Sequence, residues 1–240
     1  MNNMEIKIAH LYPEKLNLYG DRGNITSMVY RLKSRGIECE VKEYDIDENI
    51  DFENIDIIYL GGGTDKDQAQ VREILLKRQI DFKAYVENGG TVLAVCGSYE
   101  MLGKYCQQNG KKELCLDILD MYTVYADNRQ IGNIVLKNDE LDYEIAGFEN
   151  HGGVVCSNVD TPLGKVIKGF GNDGKSGVEG AIYKNVVATY LHGPLLPKNP
   201  KLCDFILLKA IEQKYGKYEL APLDDTLENA AHDYAVKTFS

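Results

Sequence analysis

Apolar and polar positions alternate with two different periods along the first hundred residues. Ile6-Lys7-Ile8-Ala9 is a short apolar run that predicts a strand. After the loop Leu11 to Arg22, Ile25, Met28, Val29 and Leu32 fall at helical spacing, and Gly36 closes that helix. Ile37 to Tyr44 returns to period two. Ile55-Asp56-Ile57-Ile58-Tyr59-Leu60 is short and β-branched, and Gly61-Gly62-Gly63 ends it. Asp67 to Asn88 reads as one helix through Val71, Ile74, Leu75 and Phe82, capped by Gly89-Gly90. Thr91-Val92-Leu93-Ala94-Val95 is continuously apolar, as a strand buried on both faces must be. Ser98 to Gln107 predicts a further helix. This alternation is that of an α/β fold with an open, mostly parallel sheet and helices on both faces.

The second half is less helical. Gln130–Leu136, Asp142–Phe148, Lys165–Lys168 and Asn185–Tyr190 predict short strands separated by Gly and Asn-Asp turns. Two late helices are predicted near Pro200–Lys214 and Thr226–Lys237. These patterns predict one domain over residues 1–240, with its β-rich half laid against the same sheet. Its core spans about 5–212, followed by a polar, amphipathic helical tail over about 215–240.

Composition narrows the function classes. The net charge of −10 excludes a generic basic nucleic-acid binder, because neutralising phosphate needs clustered Lys and Arg. No apolar run approaches the roughly 20 residues needed to cross a bilayer. The first residues carry no basic segment followed by a long apolar stretch, so a soluble, cytoplasmic protein is expected. The six cysteines, Cys39, Cys96, Cys106, Cys115, Cys156 and Cys203, contain no C-x-x-C pair. They read as scattered reduced thiols, and no metal site is expected.

One of these cysteines stands apart. In Val95-Cys96-Gly97-Ser98-Tyr99 a buried strand runs directly into a small residue and a helix. That is the geometry of a nucleophile elbow, which exposes the side chain and aims the next N–H at the same space. A buried cysteine at a strand end has the same local pattern. A cysteine nucleophile needs a base, and only His10, His151, His192 and His232 are available. His192, in Tyr190-Leu191-His192-Gly193-Pro194, ends a strand as Cys96 does, and ligands of open α/β sheets gather at such ends. Taken alone it also reads as a loop-capping histidine. His10 and His151 are candidates to line the site, and His232 is the weaker partner. The three glycines after Leu60 free backbone N–H groups to face a ligand, and the Gly97 N–H can join them in an oxyanion hole. No P-loop sequence is present.

Together these segments resemble the class I glutamine amidotransferases, in their cobyric acid synthase-like branch. The resemblance rests on the triple glycine followed by Asp65, Asp67 and Gln68, on Val95-Cys96-Gly97, and on Gly147-Phe148-Glu149-Asn150-His151-Gly152-Gly153. Leu16-Asn17-Leu18-Tyr19-Gly20-Asp21-Arg22-Gly23-Asn24 and Leu191-His192-Gly193-Pro194-Leu195-Leu196-Pro197 point to the cell-wall members of that branch. The resemblance covers about residues 5–212. It implies a flavodoxin-like fold and hydrolysis of L-glutamine, with Cys96 as nucleophile and His192 as acid and base. Gly63 and Gly97 would lie around the oxyanion, and Arg129 would hold the glutamine α-carboxylate. It implies no cofactor in this chain. ATP and Mg are expected on a Mur-ligase-like partner that amidates the D-glutamate α-carboxyl of a peptidoglycan precursor. Other acceptors, such as a corrinoid, and a silent binding module on the same fold are the alternatives. The Glu that follows the histidine by two residues in many class I enzymes is replaced by Pro194. The acid that orients His192, if there is one, is not identified by the sequence.

Overall fold

The computed structural model describes residues 4–239. Its first part runs β1 (Glu5–Leu11), α1 (Arg22–Lys33), β2 (Glu38–Tyr44), β3 (Ile57–Leu60), α2 (Asp65–Leu76), α3 (Gln79–Glu87), β4 (Thr91–Val95) and α4 (Gly97–Met101). Six strands follow: β5 (Tyr105–Gln108), β6 (Lys111–Leu114), β7 (Met121–Asn138), β8 (Tyr143–Ser157), β9 (Gly164–Lys168) and β10 (Val178–Glu179). The chain ends with β11 (Ala181–Tyr183), β12 (Val186–Thr189), α5 (Leu195–Lys198), α6 (Pro200–Tyr215) and α7 (Thr226–Phe239).

The first sheet has the order β11-β12-β4-β3-β1-β2. Five of its strands are parallel and the edge strand β11 is antiparallel. With β12 as the fifth parallel strand, the order 2-1-3-4-5 is the flavodoxin-like one. Every residue of β3, β4 and β12 is buried, which explains their unbroken apolar runs. The carboxyl ends of β3, β4 and β12 lie side by side, with Leu60 opposite Ala94 and Val95 opposite Thr189.

The β-rich half, expected to lie against this sheet, divides: β11 and β12 complete it, while β5 to β10 build a second one. That sheet has the order β10-β9-β7-β5-β6, with β8 paired to β7 in a long antiparallel hairpin. The predicted strands over 130–136 and 142–148 are stretches of β7 and β8, which run on through a register shift between Tyr125 and Gln130. Short-range periodicity stops at such an irregularity, although the ladder resumes beyond it.

Two predicted helices also differ. The single helix expected over Asp67–Asn88 is two, broken at Lys77-Arg78. Arg78 leaves helical geometry (φ −115°, ψ 14°) and donates to Asp81, Asn49 and the Ile50 carbonyl. Val71, Leu75, Phe82 and Val86 are all buried across the break, so the apolar pattern does not mark it. The helix expected over Ser98–Gln107 stops at Met101, and β5 begins at Tyr105.

The tail packs on the body of the protein. α7 lies against β7, β8 and α5, and the His232 ring stacks on Tyr143 at 4.4 Å. Arg31 of α1 is only 2% exposed and forms bidentate pairs with Asp204 of α6 and with Asp225, just before α7, at 2.6–2.8 Å. A guanidinium satisfied on both sides by carboxylates is the form in which a buried charge is tolerated. Among the described residues, no helix is long and apolar enough to cross a membrane.

Candidate active site

Cys96 sits between β4 and α4 with φ 56° and ψ −119°. A non-glycine residue in that region is strained, and such strain collects where a side chain must be presented. Its N–H donates to the Thr189 carbonyl at 2.7 Å, which ties the elbow to the end of β12. Three residues on, His192 exchanges backbone hydrogen bonds with Phe148 of β8, at 2.8 and 3.3 Å. The second sheet therefore clamps the histidine that the first sheet delivers.

The two side chains meet over Gly62. A Cβ at that glycine would collide with the His192 ring and crowd the Cys96 Cβ and an Asp21 oxygen. Gly62 is therefore glycine for space, not for flexibility. The Cys96 side of the site is nearly closed, at 6% exposure, and His192 is buried.

The acid that the sequence left unidentified is Asp21. Its Oδ2 lies 3.2 Å from His192 Nδ1 and accepts the Gly62 N–H at 2.8 Å. A carboxylate on Nδ1 fixes the tautomer and leaves Nε2 for chemistry. His192 Nε2 and Asp21 Oδ1 are buried without a hydrogen-bond partner among the described residues. Asp21 is itself held. The Tyr59 hydroxyl donates to its carbonyl at 2.8 Å, Asn24 Nδ2 donates to that hydroxyl, and Asn24 Oδ1 accepts from Leu196 N–H just beyond His192. Asp21 lies 171 residues from its histidine, so no local spacing announces it. The only signal in the sequence is its place in the Gly20-Asp21-Arg22-Gly23-Asn24 segment.

Burial by itself disfavours an imidazolium. Here the facing Cys96 sulfur and Asp21 outweigh it and push the His192 pKa up to about 10. A thiolate–imidazolium pair is the form in which such a cysteine attacks.

The other expected residues are placed as follows. Gly97 is the first residue of α4, directly after Cys96. Gly63 packs against the Lys15 carbonyl and Leu16, and its own carbonyl accepts from Gln68 Nε2 at 2.6 Å. Gln68 also lies across Gly97, bridging the two glycine segments. Arg129 sits in the irregular stretch of the β7–β8 hairpin and donates to Asn150, through Nε to Oδ1 at 3.0 Å and Nη2 to the carbonyl at 3.2 Å. Asn150 Nδ2 in turn donates to the Tyr19 hydroxyl, and the Tyr19 ring lies 5.1 Å from the His192 ring. Arg129 is thus joined to the Cys96–His192 pair through Asn150 and Tyr19.

The remaining histidines have other surroundings. His10 lies near the end of β1 with neither ring nitrogen hydrogen-bonded among the described residues and Nδ1 3.9 Å from a Glu43 oxygen, and burial, aided by Arg22, lowers its pKa to about 4. His151 stacks on Tyr190 at 3.5 Å and contacts the Gly153 carbonyl through Nδ1. His232 Nδ1 contacts the Lys198 carbonyl on the tail side. Among the described residues, no group of three or more His, Cys, Asp or Glu side chains is placed to hold a metal ion.

A cavity of about 360 Å³ opens beside the elbow, lined among others by Gly97, Gln68, Glu100, Arg72, Tyr125 and Cys106. Glu100 is buried and accepts from the Tyr125 and Tyr190 hydroxyls at 2.5 and 2.8 Å. Burial raises its pKa, although both hydroxyls oppose the rise.

The sequence profile of the CobB/CobQ-like glutamine amidotransferase domain matches residues 7–200. The chain is 42% identical to the GatD subunit of the glutamine-hydrolysing lipid II isoglutaminyl synthase of Staphylococcus aureus, over 93% of this chain and 92% of that one. It is 35% identical to the GatD subunit of the corresponding Streptococcus pneumoniae synthase, over 96% and 91%. A probable cobyric acid synthase of Methanococcus maripaludis is 34% identical over 66% of this chain but only 34% of its own length. A solved glutamine amidotransferase superposes with a TM-score of 0.57 at 17% identity, covering 84% of this chain and 98% of that one, which shows the shared fold. The chain belongs to the CobB/CobQ-like glutamine amidotransferase family.

Proposed function

We propose that this chain is the glutaminase subunit of a lipid II isoglutaminyl synthase. The observation that carries the reading is the convergence of Cys96, His192 and Asp21 on Gly62, in a chain similar to GatD subunits along nearly its whole length. The Cys96 thiolate attacks the side-chain carbonyl of L-glutamine. The Gly97 N–H, at the start of α4, receives the oxyanion. Gly62 N–H is engaged by Asp21, so Gly63 is the loop amide assigned as second donor. Protonated His192, held by Asp21 at Nδ1, gives the Nε2 proton to the leaving nitrogen, and ammonia departs. The same nitrogen, now neutral, takes a proton from water, which cleaves the glutamyl thioester to release glutamate. Arg129 binds the glutamine α-carboxylate, for which a guanidinium offers a bidentate fork.

The ammonia passes to a separate Mur-ligase-like partner that holds ATP and Mg and amidates the D-glutamate α-carboxyl of lipid II. This chain needs no cofactor of its own and works in the cytoplasm. A separate partner is favoured over a corrinoid synthase because this chain aligns with only about a third of the cobyric acid synthase.

The test is ammonia release from L-glutamine by the purified chain, alone and co-expressed with the Mur-ligase-like partner. Release that disappears in Cys96→Ala and His192→Ala supports the reading. Release unchanged in Cys96→Ala, or none even with the partner, overturns it.

A further inference from the structure

The fold brings two thiols together that the sequence leaves apart. Cys106 lies on β5, and Cys115 directly follows β6. In the antiparallel β5–β6 pair Cys106 stands opposite Glu113, so Cys115, two residues on, shares its face. The Cys115 N–H donates to the Lys104 carbonyl at 3.0 Å, which continues the pairing past the end of the strand. The two sulfurs are 3.5 Å apart and both residues are buried. Neither takes part in the mechanism above.

This pair is not sealed off. Cys106 forms part of the wall of the cavity that opens beside Gly97, together with Glu100, Arg72 and Tyr125. The two thiols are placed unequally: Cys106, and not Cys115, is in that wall. Cys106 is therefore positioned to meet an entering oxidant and Cys115 to act as its resolving thiol.

We infer that Cys106 and Cys115 form a reversible dithiol–disulfide site, oxidised by hydroperoxides that enter through the cavity beside the nucleophile. The Cys106 sulfur, losing its proton, attacks the peroxide, the O–O bond breaks, and one oxygen stays on sulfur as the sulfenic acid. The other leaves as an alcohol or, from hydrogen peroxide, as water, taking the proton that Cys106 gave up. Cys115 sulfur then attacks the sulfenic sulfur, and the departing hydroxide takes the Cys115 proton to form a second water. Two thiols lose two electrons to one peroxide. The sulfurs must close from 3.5 Å to the roughly 2.05 Å of a disulfide. Closure draws Cys106 toward Cys115 and reshapes the cavity wall facing Glu100 and Tyr125. The chemistry of the pair stands without the glutaminase reading; only its effect on glutamine use rests on that reading.

The test begins with the full chain carrying Cys96→Ser, which removes the competing nucleophile. Hydrogen peroxide is titrated in, free thiols are alkylated, and the peptides are mapped without reduction. The expected result is a crosslink between the peptides holding Cys106 and Cys115, lost on reduction with dithiothreitol. Two thiols that stay alkylatable, or that go to sulfinic acid with no crosslink, overturn the proposal. The second arm uses phenylarsine oxide, which bridges two close thiols with loss of one water and no oxidant. With Cys96 present, the arsenical raises the KM for glutamine several-fold, and a dithiol reverses the effect. Cys115→Ser keeps the parent's basal turnover and resists the reagent. Equal sensitivity of Cys115→Ser shows that the reagent acts elsewhere and overturns the link to the cavity. If ammonia release is absent in every variant while the crosslink forms, the glutaminase reading fails and the thiol site stands.

Discussion

The two sheets divide the work differently. In the first, β3, β4 and β12 are parallel, buried throughout and in register, and their carboxyl ends place Gly62, Cys96 and His192 within contact. In the second, the β7–β8 hairpin is antiparallel and irregular between Tyr125 and Gln130, and it carries Arg129 on an exposed stretch. The groups assigned to bond making are held where the backbone has least freedom. The group assigned to substrate recognition sits where a ladder is broken and a side chain can be re-aimed. The contrast teaches that the close Cys96–His192 geometry is a property of parallel-strand ends, while Arg129 is carried by an irregular antiparallel hairpin.

The largest effects should come from the first sheet. Cys96→Ala is expected to lower glutamine hydrolysis by about 10⁴-fold or more, because the covalent route is lost. Ammonia release measured on the complex checks this. Asp21→Asn keeps the size of the side chain but not the charge that fixes the His192 tautomer. It should lower kcat by about 10²–10⁴-fold with little change in KM. A loss confined to KM would remove Asp21 from the catalytic set.

The second sheet should give a smaller effect of another kind. Arg129→Ala loses a charge-assisted contact worth about 1.5–3 kcal/mol, so KM for glutamine should rise about 10–100-fold while kcat stays within a few-fold. Steady-state kinetics separate the two parameters. An equal fall in kcat would mean that the hairpin also shapes the transition state.

Stability against pH sharpens the comparison further. The fold raises the His192 pKa from 6.5 to about 10 and so favours the protonated ring. That stabilisation is complete below about pH 6.5 and is lost as pH rises through about 10. Removing the sulfur in Cys96→Ala should move the His192 titration down, visible by NMR, and flatten the decline of Tm over that window. Glu179 of β10 gives the counterpart in the second sheet. Burial raises its pKa from 4.5 to about 8, although the Tyr190 N–H and the Thr189 hydroxyl both donate to it. The native state there holds the proton, so stability declines as pH rises from about 4.5 through 8. Glu179→Gln should remove that decline and raise Tm above pH 8 by about 2–4 °C per kcal/mol recovered. Thermal melts at neutral and alkaline pH read this smallest effect.

The parallel sheet was legible because its strands are buried on both faces. Thr91–Val95 and Val186–Thr189 have unbroken apolar patterns for that reason, and the elbow at Cys96 follows from one of them. The second sheet was half legible. Its strands are interrupted, partly exposed and paired over long separations, so local alternation revealed fragments of β7 and β8 and hid β5 and β6. The break at Lys77-Arg78 was invisible because both helices bury the same apolar face.

By itself, the sequence determined the α/β grammar, the nucleophile elbow, the terminal histidine and the family resemblance, because each is written in neighbouring residues. Tertiary structure alone decided that Asp21 orients His192, that Gly62 is the glycine between them, and that Cys106 meets Cys115. Those contacts join residues separated by a strand turn or by most of the chain. Their distances depend on how buried strands stack and where the ladders stop, which no local pattern encodes.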